Sequence, residues 1–211
     1  MPENSDPAKP RGSYAKGIAR RQEILDRAIE VFARRGSDKT SLRAIAREVG
    51  VTHAALTHYF GSLDELLVAV YQNSEKRAGD VIPSKPGATP VEMMLESARA
   101  NREVPGLVQL YSTLVAAGLE EDRATARDFA TARFAGLRQA LAARVRENQH
   151  DGRIRNDVDP IAVAALVIAA SDGLQTQWLL DPAVPQDDAL ALLEELLHPP
   201  EAPEVPSRNG A

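Results

Sequence analysis

The side chains in this chain that are capable of chemistry are four histidines, several short acidic runs and a concentration of arginines toward the N-terminus. The histidines stand at 53, 58, 150 and 198. His53 and His58 are five residues apart, so on a helix they point in different directions, unlike the i, i+4 pair of a zinc-binding helix. The runs Glu120-Glu121-Asp122 and Asp187-Asp188 carry the carboxylates of a cation site. Both sit where helices should begin, however, and acids there complement the helix dipole. No G-x-S-x-G, P-loop or G-x-G-x-x-G occurs. The lack of cysteine removes disulfides, thiolate ligands, thiol nucleophiles and thiol redox sensing together. Catalysis, a metal site and a cofactor are not expected, which leaves recognition.

Charge says what would be recognised. The formal net charge of -5 over 211 residues, taken whole, argues against a polyanionic partner. Its distribution argues the reverse. Residues 1–60 hold 11 Lys and Arg against 7 Asp and Glu, whereas 61–211 hold 14 against 23. That asymmetry points the N-terminal part toward nucleic acid. Hydrophobic residues make up 44% and aromatics only 4%, a soluble, globular balance that favours helices over strands. The start, MPENSDPAKPRGSYAKG, lacks the apolar centre of a signal peptide. The longest apolar run, Ile161–Ala170, is ten residues, well short of the roughly 20 that span a bilayer. A cytoplasmic protein with no membrane partner is the expectation.

The elements that must position the recognition residues follow from proline and helical period. None of the 14 prolines lies between 11 and 82 or between 106 and 159. Ile24, Ala28, Val31 and Phe32 form the apolar stripe of a first helix over about 17–35. Arg34 and Arg35 fall in its last turn and Gly36 follows. Thr40 or Ser41 offers an N-cap to a second helix with Leu42, Ile45, Ala46 and Val49 inward. Gly50 ends it, and Thr52 can cap a third helix carrying Leu56, Tyr59 and Phe60. Ser62 and Glu65 have the spacing of a capping box for a fourth helix with Leu63, Leu66, Leu67 and Val70 inward.

The second and third helices, LRAIAREVGVTHAALTHYF, have the helix-turn-helix arrangement, whose second helix enters the major groove. An ordinary corner between two helices has the same local pattern. The exposed face of the third helix reads Thr52, His53, Ala54, Thr57 and His58, with hydroxyls and imidazoles for base edges or phosphates and a methyl for thymine. Arg43 is the candidate for a strong bidentate contact with guanine or phosphate, and Arg47 stands one turn later. Lys16, Arg20 and Arg21 would serve as a basic arm or phosphate clamp.

Over Ile24 to Tyr71 the chain resembles the TetR family of bacterial transcription regulators, through FARRG, TSLRAIAREVGV, HAALTHYF and SLDELL. DGRIRNDVDPIAVAALVIAASDGLQTQWLLDP resembles the family's dimerising region more loosely. The resemblance implies an all-α fold: a three-helix DNA-binding domain joined by a fourth helix to a larger domain that binds an effector and dimerises. The expected organisation is a disordered arm (1–15), a reading head (16–61), an effector and dimer domain (62–198) and a disordered tail (199–211). Many members carry Tyr at the position of Thr57 and Lys at those of Gly61 and Leu63. Without them, phosphate contact rests on Thr57, Tyr59, Ser62 and backbone N–H groups at the start of the fourth helix.

The resemblance also implies an effector pocket, with Met93, Met94, Tyr111, Gln175 and Trp178 as lining candidates and an amphipathic or hydrophobic ligand preferred. The last two helices, the apolar decad through Leu180 and a Leu-rich segment ending at Leu197, fit a two-fold four-helix interface. Completing a monomer core is the other use of such helices. The function expected is a dimeric, ligand-responsive repressor acting on a double-stranded palindromic operator. An activator or global DNA binder of the same fold, and a helical small-molecule-binding protein with a weakened reading head, are the alternatives.

Overall fold

A computed structural model of the chain describes residues 11–36, 39–81 and 85–200. The elements among them are helices: α1 (Arg11–Arg35), α2 (Leu42–Val49), α3 (His53–Phe60), α4 (Leu63–Val81), α5 (Pro90–Arg102), α6 (Leu107–Ala117), α7 (Ala124–His150), α8 (Pro160–Leu180) and α9 (Gln186–Leu197). The all-α expectation holds. Helix α1 begins six residues before the start read from its stripe, since elongating a nucleated helix adds a hydrogen bond per residue wherever no proline intervenes. Residues 11–15 of the expected arm therefore belong to α1, and 1–10 and 201–211 lie outside the described residues.

The side-chain caps form as the sequence implies, except that the box at Ser62 and Glu65 is only half made: the Ser62 N–H goes to the Phe60 carbonyl at 2.6 Å. Ser41 accepts from the Ala44 N–H at 3.2 Å, Thr52 from Ala55 at 3.1 Å and Ser62 from Glu65 at 3.1 Å. Asp159, ahead of Pro160, caps α8 by accepting from Ala162 at 2.8 Å. Between α2 and α3, Gly50 takes a left-handed φ of 76° and returns its N–H to the Ala46 carbonyl. That conformation is costly for a residue with a Cβ.

The helices gather into two compact units, and neither is one continuous stretch of chain. The first holds α1 to α4, α6 and α7 as far as Ala130. Its core joins Ile24, Ala28 and Phe32 of α1 to Ile45 and Val49 of α2, Leu56 and Phe60 of α3, Leu66 and Tyr71 of α4, and Leu110 and Leu114 of α6. Tyr71 stacks on Tyr111, ring centres 5.2 Å apart, and meets Phe129 edge-on at 5.6 Å. Gly106, at a φ of 80°, opens α6 so tightly against α1 that an added Cβ would lie 2.7 Å from the Ala33 Cβ and 2.8 Å from its Cα.

Charged groups then lock the first unit's reading end. The last carbonyls of a helix have no intrahelical donor. Here α1 supplies donors: Arg27 donates to the carbonyls of Val49 and Glu48, both at 3.2 Å, and Arg20 to that of Gly50 at 3.1 Å. Arg34 donates to the Glu48 carboxylate at 2.7 Å, and Arg35 bonds its other oxygen. Those two guanidiniums, Arg34 foremost, hold the Glu48 carboxyl below the usual carboxylate range.

The second unit holds α5, the rest of α7, α8 and α9. Val91 and Met94 of α5, Leu141 and Val145 of α7, Val163, Val167 and Ile168 of α8, and Leu190 and Leu197 of α9 make its core. Thr89 and Glu92 complete a reciprocal capping box at the start of α5. The Thr89 hydroxyl also donates to Glu194 at 2.7 Å, tying α9 to that cap.

Two substitutions separate strain from crowding. Gly50→Ala, where nothing crowds a Cβ, should cost about 1–2 kcal/mol from the left-handed backbone alone. Gly106→Ala adds about 1–3 kcal/mol of overpacking, so its thermal midpoint should fall about twice as far; equal shifts would contradict the close approach to Ala33. For Glu48, a depressed folded-state pKa means stabilisation that is present above the unfolded pKa and lost as pH falls through the folded one. Glu48→Gln should therefore lower the melting temperature at pH 7, with the gap to wild type closing below about pH 4. A gap independent of pH would rule out the ion pairs as its source.

Candidate nucleic-acid interface

The first unit presents α3 as a short helix with one face committed and one face free. Leu56 and Phe60 point inward, 0% and 3% exposed. Thr52, His53, Ala54 and His58 are exposed and Thr57 is half-buried. Five residues at about 100° each set His53 and His58 about 140° apart around the helix, so they reach different places on a ligand. The Thr57 hydroxyl donates to the His53 carbonyl at 3.0 Å, leaving its lone pairs as the free function. Arg43 and Arg47 stand exposed one turn apart on α2. The structure thus brings Arg43, Arg47, Thr52, His53, Ala54, Thr57 and His58 into one helix-turn-helix.

The residues next to α4 have less to offer an anion. Tyr59 is half-buried, its ring edge-on to His58 at 6.0 Å. Ser62 spends an acceptor on the Glu65 N–H, which removes one of the free amides at the start of α4. Asp64 and Glu65 occupy that first turn, and the Glu65 carboxylate lies over Gly61. Asp64 is neutralised by Arg123, which donates Nε at 2.8 Å and Nη2 at 2.5 Å.

The α1 arginines are placed differently from the expected phosphate arm. Arg20 turns to the Gly50 carbonyl and to Glu23, and Arg21 lies over the Phe60 ring, 5.0 Å from its centre. Lys16 is exposed. Arg20, Arg27 and Arg34 recur every seven residues, which puts them on one face of α1. That spacing is the sequence signal for the clamp, although its target on α2 is not written locally.

The five effector-pocket candidates divide between the units. Tyr111 is buried in the first, against Tyr71. Met93, Met94, Gln175 and Trp178 belong to the second. Met94 and Gln175 are buried there, Met93 and Trp178 half-buried, and Gln175 reaches back to Ser171. Trp178 borders a cleft of about 300 Å³ with Arg102, Val184 and Gln186. Within the second unit, α8 and α9 leave Ile161, Leu166, Leu180, Leu192 and Leu196 exposed, the last two by 56% and 64%.

Comparison with known proteins agrees with this geometry. Residues 24–70 match the model of the bacterial regulatory proteins of the tetR family, and residues 92–199 match the C-terminal model of the BetI-type transcriptional repressors. An HTH-type transcriptional repressor of Mycobacterium tuberculosis is 28% identical over 156 residues, covering 74% of this chain and 80% of that protein. A TetR transcription regulator of Haloarcula marismortui superposes with a TM-score of 0.70 at 20% identity, over 85% of this chain and 97% of that one. The multidrug binding protein EbrR, solved with imidazole, gives 0.62 at 26% identity, over 92% and 100%. With α2, Gly50 and α3 set as a helix-turn-helix and both halves matched, the chain belongs to the TetR family of bacterial transcription regulators and carries its DNA-binding helix-turn-helix.

Proposed function

We propose that this protein is a cytoplasmic repressor that reads a palindromic operator as a dimer and is released by a small-molecule effector. The observation that carries the reading is α3, whose polar face stands free while the end of α2 just before it is clamped by Arg27 of α1. Residues 16–61 act as the reading head and 62–198 as the sensing and dimerising part. Each subunit lays α3 in one of two successive major grooves, about 34–36 Å apart. Arg43, Arg47, Thr52, His53, Ala54, Thr57 and His58 meet bases and phosphates, and Tyr59 and Ser62 flank the backbone.

Dimerisation uses α8 and α9, whose exposed leucines and isoleucine would otherwise remain in water. The effector contacts Met93, Met94, Gln175 and Trp178 of the second unit, and it favours a state in which the two reading heads are wrongly spaced. Its effect is bounded by its difference in affinity between the two states. The repressor relative of M. tuberculosis supports the direction of control, and the multidrug binding protein supports a small-molecule signal.

One observation favours a second reading, a small-molecule binder with a weakened reading head. Gly61 and Leu63 supply no cation, and the first turn of α4 carries two acids. Salt dependence separates the two. Mobility shift against the chain's own upstream DNA should give palindrome-dependent binding whose affinity falls steeply with salt. A shallow slope with no preference for the palindrome would favour the second reading.

Arg43→Ala should weaken operator binding by about 1–3 kcal/mol, roughly five- to 150-fold, if it pairs with a base, or reduce the salt slope by about one if it grips phosphate. Unchanged affinity and slope would remove Arg43 from the interface. Leu192→Glu with Leu196→Glu should turn the dimer into a folded monomer in analytical ultracentrifugation and weaken binding to the full palindrome. A dimer that survives both charges would place the interface elsewhere.

A further inference from the structure

A cleft of about 480 Å³ opens in the first unit beside the start of α4, apart from Met93, Met94, Gln175 and Trp178. Phe32 of α1 with Leu63 and Leu67 of α4 form its apolar wall. Its polar groups are the hydroxyls of Thr40 and Thr113 and the pair Glu120 and Arg123. Both hydroxyls have used their hydrogen: Thr40 donates to the Gly36 carbonyl at 2.5 Å, and Thr113 to that of Gln109 at 2.8 Å. Each offers an incoming molecule only oxygen lone pairs.

The two guanidiniums at the cleft are committed as well, while Lys39, next to Thr40, is exposed. Arg123 places Nε and Nη2 on Asp64, and its Nη1 lies 3.9 Å from Glu120. Arg127 donates to the main-chain carbonyls of Gly118 and Glu120. The Glu120 carboxylate, whose pairing with Arg123 is at 3.9 Å, is 62% exposed, and Glu121 and Asp122 follow it. An acidic, acceptor-rich rim around an apolar wall selects a ligand that is apolar at one end and a cationic donor at the other. An anion would find exposed carboxylate and no uncommitted guanidinium.

We propose that this cleft binds a small amphipathic ammonium ion, its hydrocarbon part on Phe32, Leu63 and Leu67 and its N–H donors toward Thr40, Thr113 and Glu120. The volume lies within the range of small-molecule sites and suits a single aromatic ring with a short aminoalkyl arm. Occupancy would bear on the turn of α4 that directly follows α3.

Calorimetric titration of the full chain, free of DNA, with 2-phenylethylammonium chloride tests this. Saturable binding of one equivalent per chain is expected, with no binding of 3-phenylpropionate. Glu120→Gln, at an exposed position, should raise the Kd about three- to tenfold. Ala116→Phe, which adds bulk from an exposed position at the cleft edge, should abolish binding. The proposal is overturned by absence of saturable heat, by equal binding of the anion, or by an unchanged Kd in Glu120→Gln. Should Ala116→Phe fail to fold, the Glu120→Gln and anion measurements still decide. Binding that ignores both substitutions would place the ammonium ion elsewhere in the chain and leave the repressor reading untouched.

Discussion

The end of α2 is the constraint on which the reading head depends. A helix that must turn sharply leaves carbonyls without donors, and a loose end there would let the next helix swing. In this chain the end is closed twice: Gly50 returns its own N–H to Ala46, and Arg27 and Arg20 bring guanidiniums from α1 onto the carbonyls of Glu48, Val49 and Gly50. Arg34 and Arg35 then take the Glu48 side chain. With Leu56 and Phe60 sunk in the core, α3 has one orientation relative to α1 and presents one face. A rigid element places contacting groups with less entropic loss on binding than a loop would.

That clamp changes the meaning of the charge distribution. The basic excess in residues 1–60 looks like a field offered to DNA, but four of its arginines are turned to carbonyls or carboxylates within the unit. The cationic surface left near α3 rests on few groups, Arg43 and Arg47 among them. Bulk attraction for a polyanion at the reading end is reduced accordingly. The acidic remainder of the chain works in the same direction by disfavouring non-specific adhesion to a polyanion.

Helix α8 shows a parallel economy with apolar residues. It is 21 residues long and apolar enough to cross a membrane by length and composition. Val163, Ala164, Val167 and Ile168 are buried in the second unit, while Ile161, Leu166 and Leu180 stay open. Exposed leucines on α9 add to the uncovered surface. Exposed apolar residues in that number are more than scattered surface positions explain, and they carry the dimer proposed above.

What could be read from the sequence was local. Caps at Ser41, Thr52, Ser62 and Asp159, the turn at Gly50, and the stripes of α1 to α4 each depend on residues within about four positions, where helix geometry alone fixes who meets whom. The exposed face of α3 followed from the same rule. Pairings across the fold did not. Arg20 was legible as a cation but not as the partner of a carbonyl 30 residues away, nor Arg123 as the counterion of Asp64, 59 residues back. Tyr111 read as a pocket-lining candidate beside Met94 and Trp178, and only packing placed it against Tyr71 and in a different unit from those two. The chain by itself determined the helices, the turn and the recognition face, because short-range hydrogen bonding and period decide them. Tertiary structure decided which arginines are spent on holding the head and which stay exposed, because a long side chain takes whichever acceptor the folded chain brings within reach.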